Sequence, residues 1–280
     1  MEPIAFGMPT LVENETPDAD IRLCRSLGLR FIELNMNFPE YQLDRLENIA
    51  PLIRMAEEAG IYYTIHLDEN LNPADFNPLV AGAYLETVRR TIMAAKKLLP
   101  LAERHGDGPM ILNMHMHHGV HITLPDRKVQ LYERDRSRYM ADMRRFRDFC
   151  REWIGGAPVM MAVENTDGFR TYEKDAVEMF LESPCFGLTW DIGHSAATGE
   201  KDLPFIMAHE DRLIHFHIHD GSFRPPRNHL AAGDGEIDLP ARLNVAASHR
   251  SRCVLETKTS QALKKTVEWL RANCPESIRH

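Results

Sequence analysis

The chain has 280 residues, of which 44% are hydrophobic and 26% are charged, and its formal net charge is −8. This composition is typical of a soluble globular protein with a large core, and no apolar run reaches the ~20 residues that a membrane-spanning helix needs. The acidic balance disfavours nucleic acid as a partner, because proteins that bind a polyanion usually carry an excess of lysine and arginine.

The amino-terminal segment and the cysteines both bear on where the protein works. The chain begins Met-Glu-Pro-Ile-Ala-Phe-Gly, which lacks the basic and apolar regions of a signal peptide and is interpreted as the approach to a first strand. Five cysteines are scattered without a C-x-x-C pair, as is typical of free thiols in a reducing compartment. We therefore expect a cytoplasmic protein.

Short apolar runs alternate with longer helical patterns along the whole chain. The predicted strands are residues 4–7, 30–35, 61–66, 110–115, 158–165, 186–191, 213–219 and 253–257. The predicted helices are residues 43–59, 79–99, 139–153, 174–181 and 261–270, and Gly28, Gly60 and Gly106 stand where helices should end. This alternation, with about eight units, predicts an α/β fold: a (β/α)8 TIM barrel with residues 1–280 as a single domain.

An open, doubly wound sheet is the main alternative architecture. Such a sheet usually begins with a glycine-rich phosphate loop after its first strand. No G-x-G-x-x-G motif follows the first predicted strand here. The segment Gly233-Asp234-Gly235 comes late in the chain, follows no clear strand and is interpreted as a loop. The closed barrel is therefore preferred.

Ionisable side chains stand at the carboxyl ends of six predicted strands. They are His66, His115, His117, Glu164, Asp191, His194, His217, His219 and Glu256. In a barrel these ends meet at one mouth, and a buried carboxylate is costly unless a partner offsets its charge. Several converging carboxylates and imidazoles therefore indicate a divalent cation between them.

Strand parity divides these residues further. Side chains alternate between the two faces of a strand, so His215, His217 and His219 share one face of their strand, and His115 and His117 share a face of theirs. We interpret His215 as a deeper core group and His219 as a group that faces the substrate or supports a ligand. Any one strand-end histidine has an ordinary structural explanation, and only the occurrence on separate strands favours a site.

Five segments resemble the xylose isomerase-like barrel superfamily. This superfamily includes sugar isomerases and epimerases and the endonuclease IV-type phosphodiesterases of AP endonuclease family 2. The segments are Val163-Glu164-Asn165-Thr166, Asp191-Ile-Gly-His194, Phe216-His217-Ile-His-Asp220, His229-Leu-Ala-Ala-Gly233-Asp-Gly235-Glu-Ile-Asp238 and Leu255-Glu256-Thr257. They occur in the family's order, and the resemblance covers nearly the whole chain.

The resemblance implies a metal centre. The four ligands shared by the isomerase and phosphodiesterase branches match Glu164, Asp191, His217 and Glu256. This mixture of carboxylate and imidazole suits Zn²⁺ or Mn²⁺, and Co²⁺ is also suitable.

Further metal sites are implied by the endonuclease IV branch alone. Two histidines on the third and fourth strands build its second site, which His66 and His117 match, with His115 as the alternative on the fourth strand. Its third site corresponds to His194 and His229. Arg227 stands where that branch has an aspartate, which puts the third metal in doubt and offers a cation to a phosphate instead. The resemblance thus implies one to three ions.

Two reactions fit these residues. In the preferred one, two metals activate a water that hydrolyses a phosphodiester in a small phosphorylated metabolite, such as the nucleotide loop of a cobamide. Arg227 and Lys258 would bind the phosphate, with His115 and His219 also assigned to the substrate. The alternative is a sugar or sugar-phosphate isomerase or epimerase, in which Glu164 and Glu256 act as acid and base.

The histidines decide between these hypotheses at this stage. Only the hydrolase requires the pair His66 and His117, so the sequence favours it narrowly. A catalytically inactive barrel that only binds a sugar or a partner is disfavoured by the complete set of four ligands. The sequence leaves open whether the chain forms a homodimer.

Overall fold

A closed barrel of eight parallel strands forms the centre of the protein in the computed structural model, which describes residues 4–276. The barrel strands are β1 Phe6–Pro9, β2 Phe31–Asn35, β3 Tyr62–His66, β4 Met110–His115, β5 Val159–Glu164, β6 Phe186–Asp191, β7 Leu213–Ile218 and β8 Arg252–Leu255. They pair in chain order, and β8 pairs with β1 to close the barrel. The predicted (β/α)8 fold is confirmed.

Helices on the outside connect the strands. They are α1 Pro17–Ser26, α2 Leu43–Leu46, α3 Ala50–Ala59, α4 Pro78–His105, α5 Leu131–Arg134, α6 Arg136–Ile154, α7 Thr171–Leu181, α8 Ile192–Ala197, α9 Leu203–Ala208, α10 Leu239–Ser248 and α11 Ser260–Asn273. Gly60 and Gly106 end α3 and α4 in the left-handed conformation, with φ of 67° and 68°. The helix predicted over residues 43–59 is divided into α2 and α3. The break covers residues 47–49, and Pro51 lies in the first turn of α3, which suits a residue that lacks an N–H.

Two antiparallel hairpins extend from the barrel mouth. The first follows β4 and pairs His121–Thr123 with Lys128–Gln130. The second follows β7 and pairs Asp220–Phe223 with Pro226–Leu230. Both hairpins belong to the βα loops, which carry functional residues in this fold.

Asp220 organises the loop that follows the second hairpin. Its carboxylate accepts hydrogen bonds from the backbone N–H groups of Gly221, Gly233 and Gly235 at 2.8, 2.9 and 3.0 Å. A Cβ atom on Gly235 would lie 2.3 Å from Asp220 Oδ1, so the loop needs glycine at this close approach. The segment Gly233-Asp234-Gly235 is a loop, as predicted, and it encloses a buried carboxylate.

His118 joins two other loops at the mouth. Its Nδ1 lies 2.6 Å from Glu173 Oε1, and its Nε2 contacts Asp167 Oδ1. The Tyr172 hydroxyl donates a hydrogen bond to the His118 carbonyl at 2.8 Å. Burial by itself would lower the pKa of His118, but the two carboxylates raise it to about 9. We refer to His118, Asp167 and Glu173 as the His118 clamp.

The barrel interior changes from aromatic to polar along the strand direction. Near the amino ends of the strands, the rings of Phe31 and Tyr62 stack with their centroids 5.1 Å apart, and the guanidinium of buried Arg252 lies 5.9 Å from the Tyr62 ring centroid. Nearer the mouth, the interior holds buried Glu33 and Thr64. Ionisable groups are thus concentrated at the carboxyl ends of the strands.

Two expectations from composition can be compared with residues 4–276. No helix in this part of the chain is long and apolar enough to cross a membrane. All five cysteines lie within it and are free thiols, and four of them are buried. The cysteines therefore form no disulfide framework.

Candidate metal centre

Strand register brings four ionisable side chains to one level of the barrel mouth. Asp191 on β6 is paired with His217 on β7, Glu164 is the last residue of β5, and Glu256 directly follows β8. One ligand atom from each of these four residues lies within 4.8 Å of the others, and all four side chains are buried. The structure therefore brings together the four residues that the family resemblance implied as one ligand set.

Three carboxylates surround one nitrogen of His217. Its Nδ1 lies 2.9 Å from Glu256 Oε2, 3.4 Å from Glu164 Oε1 and 3.8 Å from Asp191 Oδ2. Within residues 4–276, neither His217 Nδ1 nor Glu256 Oε2 has a hydrogen-bond partner, although both atoms are buried. Orphaned buried polar atoms are costly, and three carboxylates exceed the charge that one imidazole can offset. A divalent cation would satisfy both atoms, so this donor set fits a metal ion.

The imidazoles keep the glutamates ionised. Burial by itself would raise the pKa of Glu164, but His217 and His115 outweigh it and hold this pKa well below its usual range. Burial likewise opposes the ionisation of Glu256, and His217 and Lys258 lower its pKa well below the usual range. At neutral pH the site therefore presents carboxylates, which are the forms that bind a cation or accept a proton.

Asn113 supports Glu164 from within the barrel. Its amide Nδ2 donates a hydrogen bond to Glu164 Oε2, and its Oδ1 accepts one from the Thr189 hydroxyl at 2.6 Å. All three side chains are buried. The amide is thus held on one side and orients the carboxylate on the other.

His219 supports Asp191 in a similar way. Its Nδ1 accepts a hydrogen bond from the backbone N–H of His229 at 2.7 Å, so its Nε2 carries the hydrogen and donates to Asp191 Oδ2 at 3.0 Å. A Cβ atom on Gly193 would lie 1.9 Å from the ring of His219, and this explains the glycine of the Asp191-Ile-Gly-His194 segment. His219 was predicted to face the substrate or to support a ligand, and both of its ring nitrogens are engaged within the protein, one of them on Asp191.

His66 lies beside His115, the predicted alternative on the fourth strand, and not beside His117, and His66, His115 and Glu164 form a cluster that could hold a cation. His66 Nε2 and His115 Nε2 lie 3.4 and 3.3 Å from Glu164 Oε2 and 3.2 Å from each other. His117 lies beyond the end of β4, where its Nδ1 accepts a hydrogen bond from the Gly119 N–H at 3.0 Å. No cluster of ligand-type side chains within residues 4–276 includes His117. The reason is register, because β4 pairs His115, and not His117, with Glu164.

The remaining predicted residues lie around the rim. The rings of His194 and His229 are 5.1 Å apart, and these two residues form a cluster of three histidines with His219. Burial and the nearby His219 lower the pKa of His229 to about 4. Arg227 is exposed on the second hairpin. Lys258 donates a hydrogen bond to Glu256 Oε1 at 2.7 Å, so its contact is with a candidate ligand.

A cavity of about 390 Å³ opens beside Glu256 and Lys258, and its lining includes Thr10, Asn35 and Phe38. Hydroxyl and amide groups on these walls are suited to the hydroxyls of a small polar ligand, and Phe38 offers an apolar surface. The cavity adjoins the carboxylate cluster through Glu256. A small molecule in it would therefore reach the candidate ligands.

Sequence reasoning missed Glu33, which is buried on β2. Its Oε2 accepts hydrogen bonds from His215 Nε2 at 3.0 Å and from the Thr64 hydroxyl at 2.9 Å. His217 Nε2 lies 2.9 Å from its other oxygen, Oε1. A glutamate inside the apolar run of β2 was the available signal, because glutamate is rarely buried unless it is paired.

Comparison with known proteins identifies relatives of this fold. A family model described as a xylose isomerase-like TIM barrel matches residues 21–273. An uncharacterised protein of Mycobacterium leprae (strain TN) is 29% identical over 147 residues, which cover 43% of this chain and 52% of that protein. The match thus spans about half the length of this curated relative.

Three solved structures resemble the whole chain. A D-tagatose 3-epimerase-like protein has a TM-score of 0.76 and 20% identity, with 98% of both chains covered. The apo form of 3-keto-D-glucoside 4-epimerase from E. coli has a TM-score of 0.71 and 15% identity, with 96% of this chain and 99% of that chain covered. An L-ribulose 3-epimerase has a TM-score of 0.66 and 15% identity, with 98% of both chains covered.

The preferred prediction of a phosphodiesterase is wrong. Two of these full-length structural neighbours are sugar epimerases and the third is an epimerase-like protein, and they agree with the alternative, the isomerase or epimerase.

Proposed function

We propose that this chain, which belongs to the xylose isomerase-like TIM barrel family, is a divalent-metal-dependent epimerase or isomerase of a small keto sugar. The observation that carries the proposal is the buried ring of three carboxylates around His217 Nδ1, two of whose atoms lack a hydrogen-bond partner in residues 4–276. The similarity to solved sugar epimerases supports it through the shared fold. The mixed donor set suits Zn²⁺, Mn²⁺ or Co²⁺.

Two glutamates in the ring are suited to move protons. Glu164 ends β5 and Glu256 follows β8, and β6 and β7 separate these strands in the barrel. The two carboxylates therefore approach the site from different parts of the mouth. Epimerisation at a carbon beside a carbonyl needs one acid–base group on each face of that carbon, because a proton leaves one face and another returns to the opposite face.

These positions suggest which residues bind the metal and which transfer protons. The ion would be held by Glu164, Asp191, His217 and Glu256, and it would polarise the carbonyl and a neighbouring hydroxyl of the sugar and so make the adjacent C–H more acidic. Glu256 takes up a proton from solvent and delivers it to one face of the carbon, while Glu164 accepts the proton that leaves the opposite face and then releases it to solvent. One C–H bond breaks and one forms, and no oxidant or reductant is required.

Neighbouring side chains keep the two glutamates in their roles. Asn113 orients Glu164 by donating to Oε2. Lys258 lies 2.7 Å from Glu256 Oε1 and leaves Oε2 directed towards His217 Nδ1. The adjoining cavity of about 390 Å³ is the proposed binding site for the rest of the sugar.

The test follows the carbon-bound proton. Metal-stripped protein is loaded with Mn²⁺, Zn²⁺ or Co²⁺ and incubated in D₂O with D-tagatose, D-psicose and L-ribulose. NMR then measures the epimer formed and the deuterium at the epimerised carbon. We expect metal-dependent incorporation, which Glu164→Gln and Glu256→Gln each abolish, because the amide cannot accept the proton and binds the ion more weakly.

Glu173→Gln is the matched control, since Glu173 is an equally buried glutamate outside the ring. It should retain deuterium incorporation at a temperature where it is folded. The proposal is contradicted if metal-loaded wild type incorporates no deuterium into any of the keto sugars, or if Glu164→Gln keeps the wild-type rate.

A further inference from the structure

Glu33 lies directly beneath the carboxylate ring. Its side chain is 2% exposed, and its two oxygens are divided between neighbours. Oε2 accepts hydrogen bonds from the Thr64 hydroxyl at 2.9 Å and from His215 Nε2 at 3.0 Å. Oε1 lies 2.9 Å from His217 Nε2, which is buried and, like His217 Nδ1, makes no hydrogen bond within residues 4–276. None of these contacts is used by the proton transfer proposed above.

His217 stands between two clusters that could each hold a cation. Glu33, His215 and His217 form one, and Glu164, Asp191, His217 and Glu256 form the other. A neutral imidazole has one nitrogen with a hydrogen and one with a free lone pair, so it can be a metal ligand in only one cluster. The question is which nitrogen of His217 carries the hydrogen.

The surroundings of the two nitrogens answer it. Nδ1 faces three carboxylates, of Glu164, Asp191 and Glu256, whereas Nε2 faces Glu33 alone. Glu33 already accepts hydrogens from His215 and Thr64, so its charge is satisfied without an ion. The side with three carboxylates needs a cation, and the side with one carboxylate needs a donor.

We propose that Glu33 is a positioning residue that holds the hydrogen of His217 on Nε2 and so directs the Nδ1 lone pair at the metal. A carboxylate accepts hydrogens and has none to donate, so it favours the ring tautomer with hydrogen on the nitrogen that faces it. Outer partners of this kind set both the tautomer and the orientation of metal-binding histidines. Thr64 and His215 hold Glu33 in place for this role.

This inference rests on the metal centre of the proposed function, and its test measures metal binding without any sugar. Glu33→Gln has nearly the same shape but presents an NH₂ group to one of its three donors. The free Nδ1 lone pair is then no longer enforced, and a hydrogen on Nδ1 competes with the ion. We expect Zn²⁺ and Co²⁺ affinity, measured by competition with a chelator, to fall roughly 10–100-fold.

Two further readouts separate positioning from general stability. At saturating Co²⁺, the visible absorption of Glu33→Gln should differ from that of wild type, because the His217 ring no longer holds its orientation. Long-range ¹⁵N–¹H spectra of Zn²⁺-loaded wild type should show a histidine with hydrogen on Nε2 that is lost in the variant. Glu173→Gln, which removes another fully buried carboxylate, should keep wild-type metal affinity and Co²⁺ absorption.

Glu33→Asp keeps the test decisive if Glu33→Gln does not fold. It preserves the charge but is shorter by one methylene, so we expect an affinity between those of wild type and the glutamine variant. A folded Glu33→Gln or Glu33→Asp with wild-type affinity and wild-type Co²⁺ absorption overturns the inference. Wild type that binds metal normally but epimerises no sugar refutes the proposed function alone, and this inference then stands on its own measurements.

Discussion

The glycine of the Asp191-Ile-Gly-His194 segment can be tested by one methyl group. In Gly193→Ala the new Cβ would lie 1.9 Å from Cε1 and 2.0 Å from Nδ1 of His219, whose side chain is fully buried. Real carbon contacts need about 3.5 Å or more. Either the ring or the α8 backbone must therefore move.

The expected loss of stability is set by whichever of two responses of the His219 ring costs less free energy. If His219 stays, the overpacked contact costs about 1–3 kcal/mol. If the ring moves, it loses its hydrogen bond to Asp191 Oδ2, which is worth about 1.5–3 kcal/mol because the acceptor is charged. We therefore expect the free energy of unfolding to fall by about 1–3 kcal/mol, and Tm by roughly 3–10 °C. Metal affinity should fall as well, because Asp191 is no longer held.

Gly82→Ala is the matched control for this substitution. Gly82 lies in α4, and a Cβ there meets no atom within 4 Å. Alanine should stabilise the helix by about 0.5–1 kcal/mol and leave metal binding unchanged. Thermal unfolding and chelator competition on both variants decide the matter. A Gly193→Ala protein as stable as Gly82→Ala, with wild-type metal affinity, would refute the role assigned to His219.

Two further predictions concern other histidines at the mouth. Burial would lower the pKa of His118, but the carboxylates of Asp167 and Glu173 raise it from 6.5 to about 9. The stability that the His118 clamp contributes is therefore fully present below about pH 6.5 and is lost as pH rises through about 9. In urea unfolding, the difference between wild type and His118→Gln should shrink from pH 6 to pH 10, and an unchanged difference would contradict this sign. His115→Gln should lower kcat about tenfold, because it removes a charge-assisted contact to Glu164 worth about 1.5 kcal/mol. His117→Gln, which removes no contact to Glu164, should change kcat less than about twofold. Equal effects of the last two variants would mean that proximity to Glu164 does not matter.

Much of the architecture follows from local pattern in the chain. Apolar runs that alternate with helical segments predicted the parallel barrel, because a strand buried on both faces needs an unbroken apolar run and a parallel pair needs a long crossover. The break between α2 and α3 could also have been expected from Pro51, which favours the first turn of a new helix, but it was not predicted. Five helices were not among the predicted ones, namely α1, α5, α8, α9 and α10.

In the candidate site, too, the sequence predicts some features and the strand register decides others. Glu164, Asp191, His217 and Glu256 each stand within one residue of the end of a strand, and the barrel topology makes such ends converge, so the sequence could place them at one mouth. The family resemblance then selected these four as ligands. The choice between His115 and His117 could not be made this way. Both have the same parity, and only the register of β4 against β5 sets His115 opposite Glu164.

Glu33 shows what only the tertiary structure decides. It is 182 residues from His215 in the chain, and β2 and β7 are not neighbours in the barrel, yet their side chains meet in the interior. Periodicity reports which face of its own element a residue occupies, and so it selects the residues that point inward. How deep each one lies, and which others it meets there, depends on how the strands are staggered when the barrel closes, because that stagger is a property of all eight strands together.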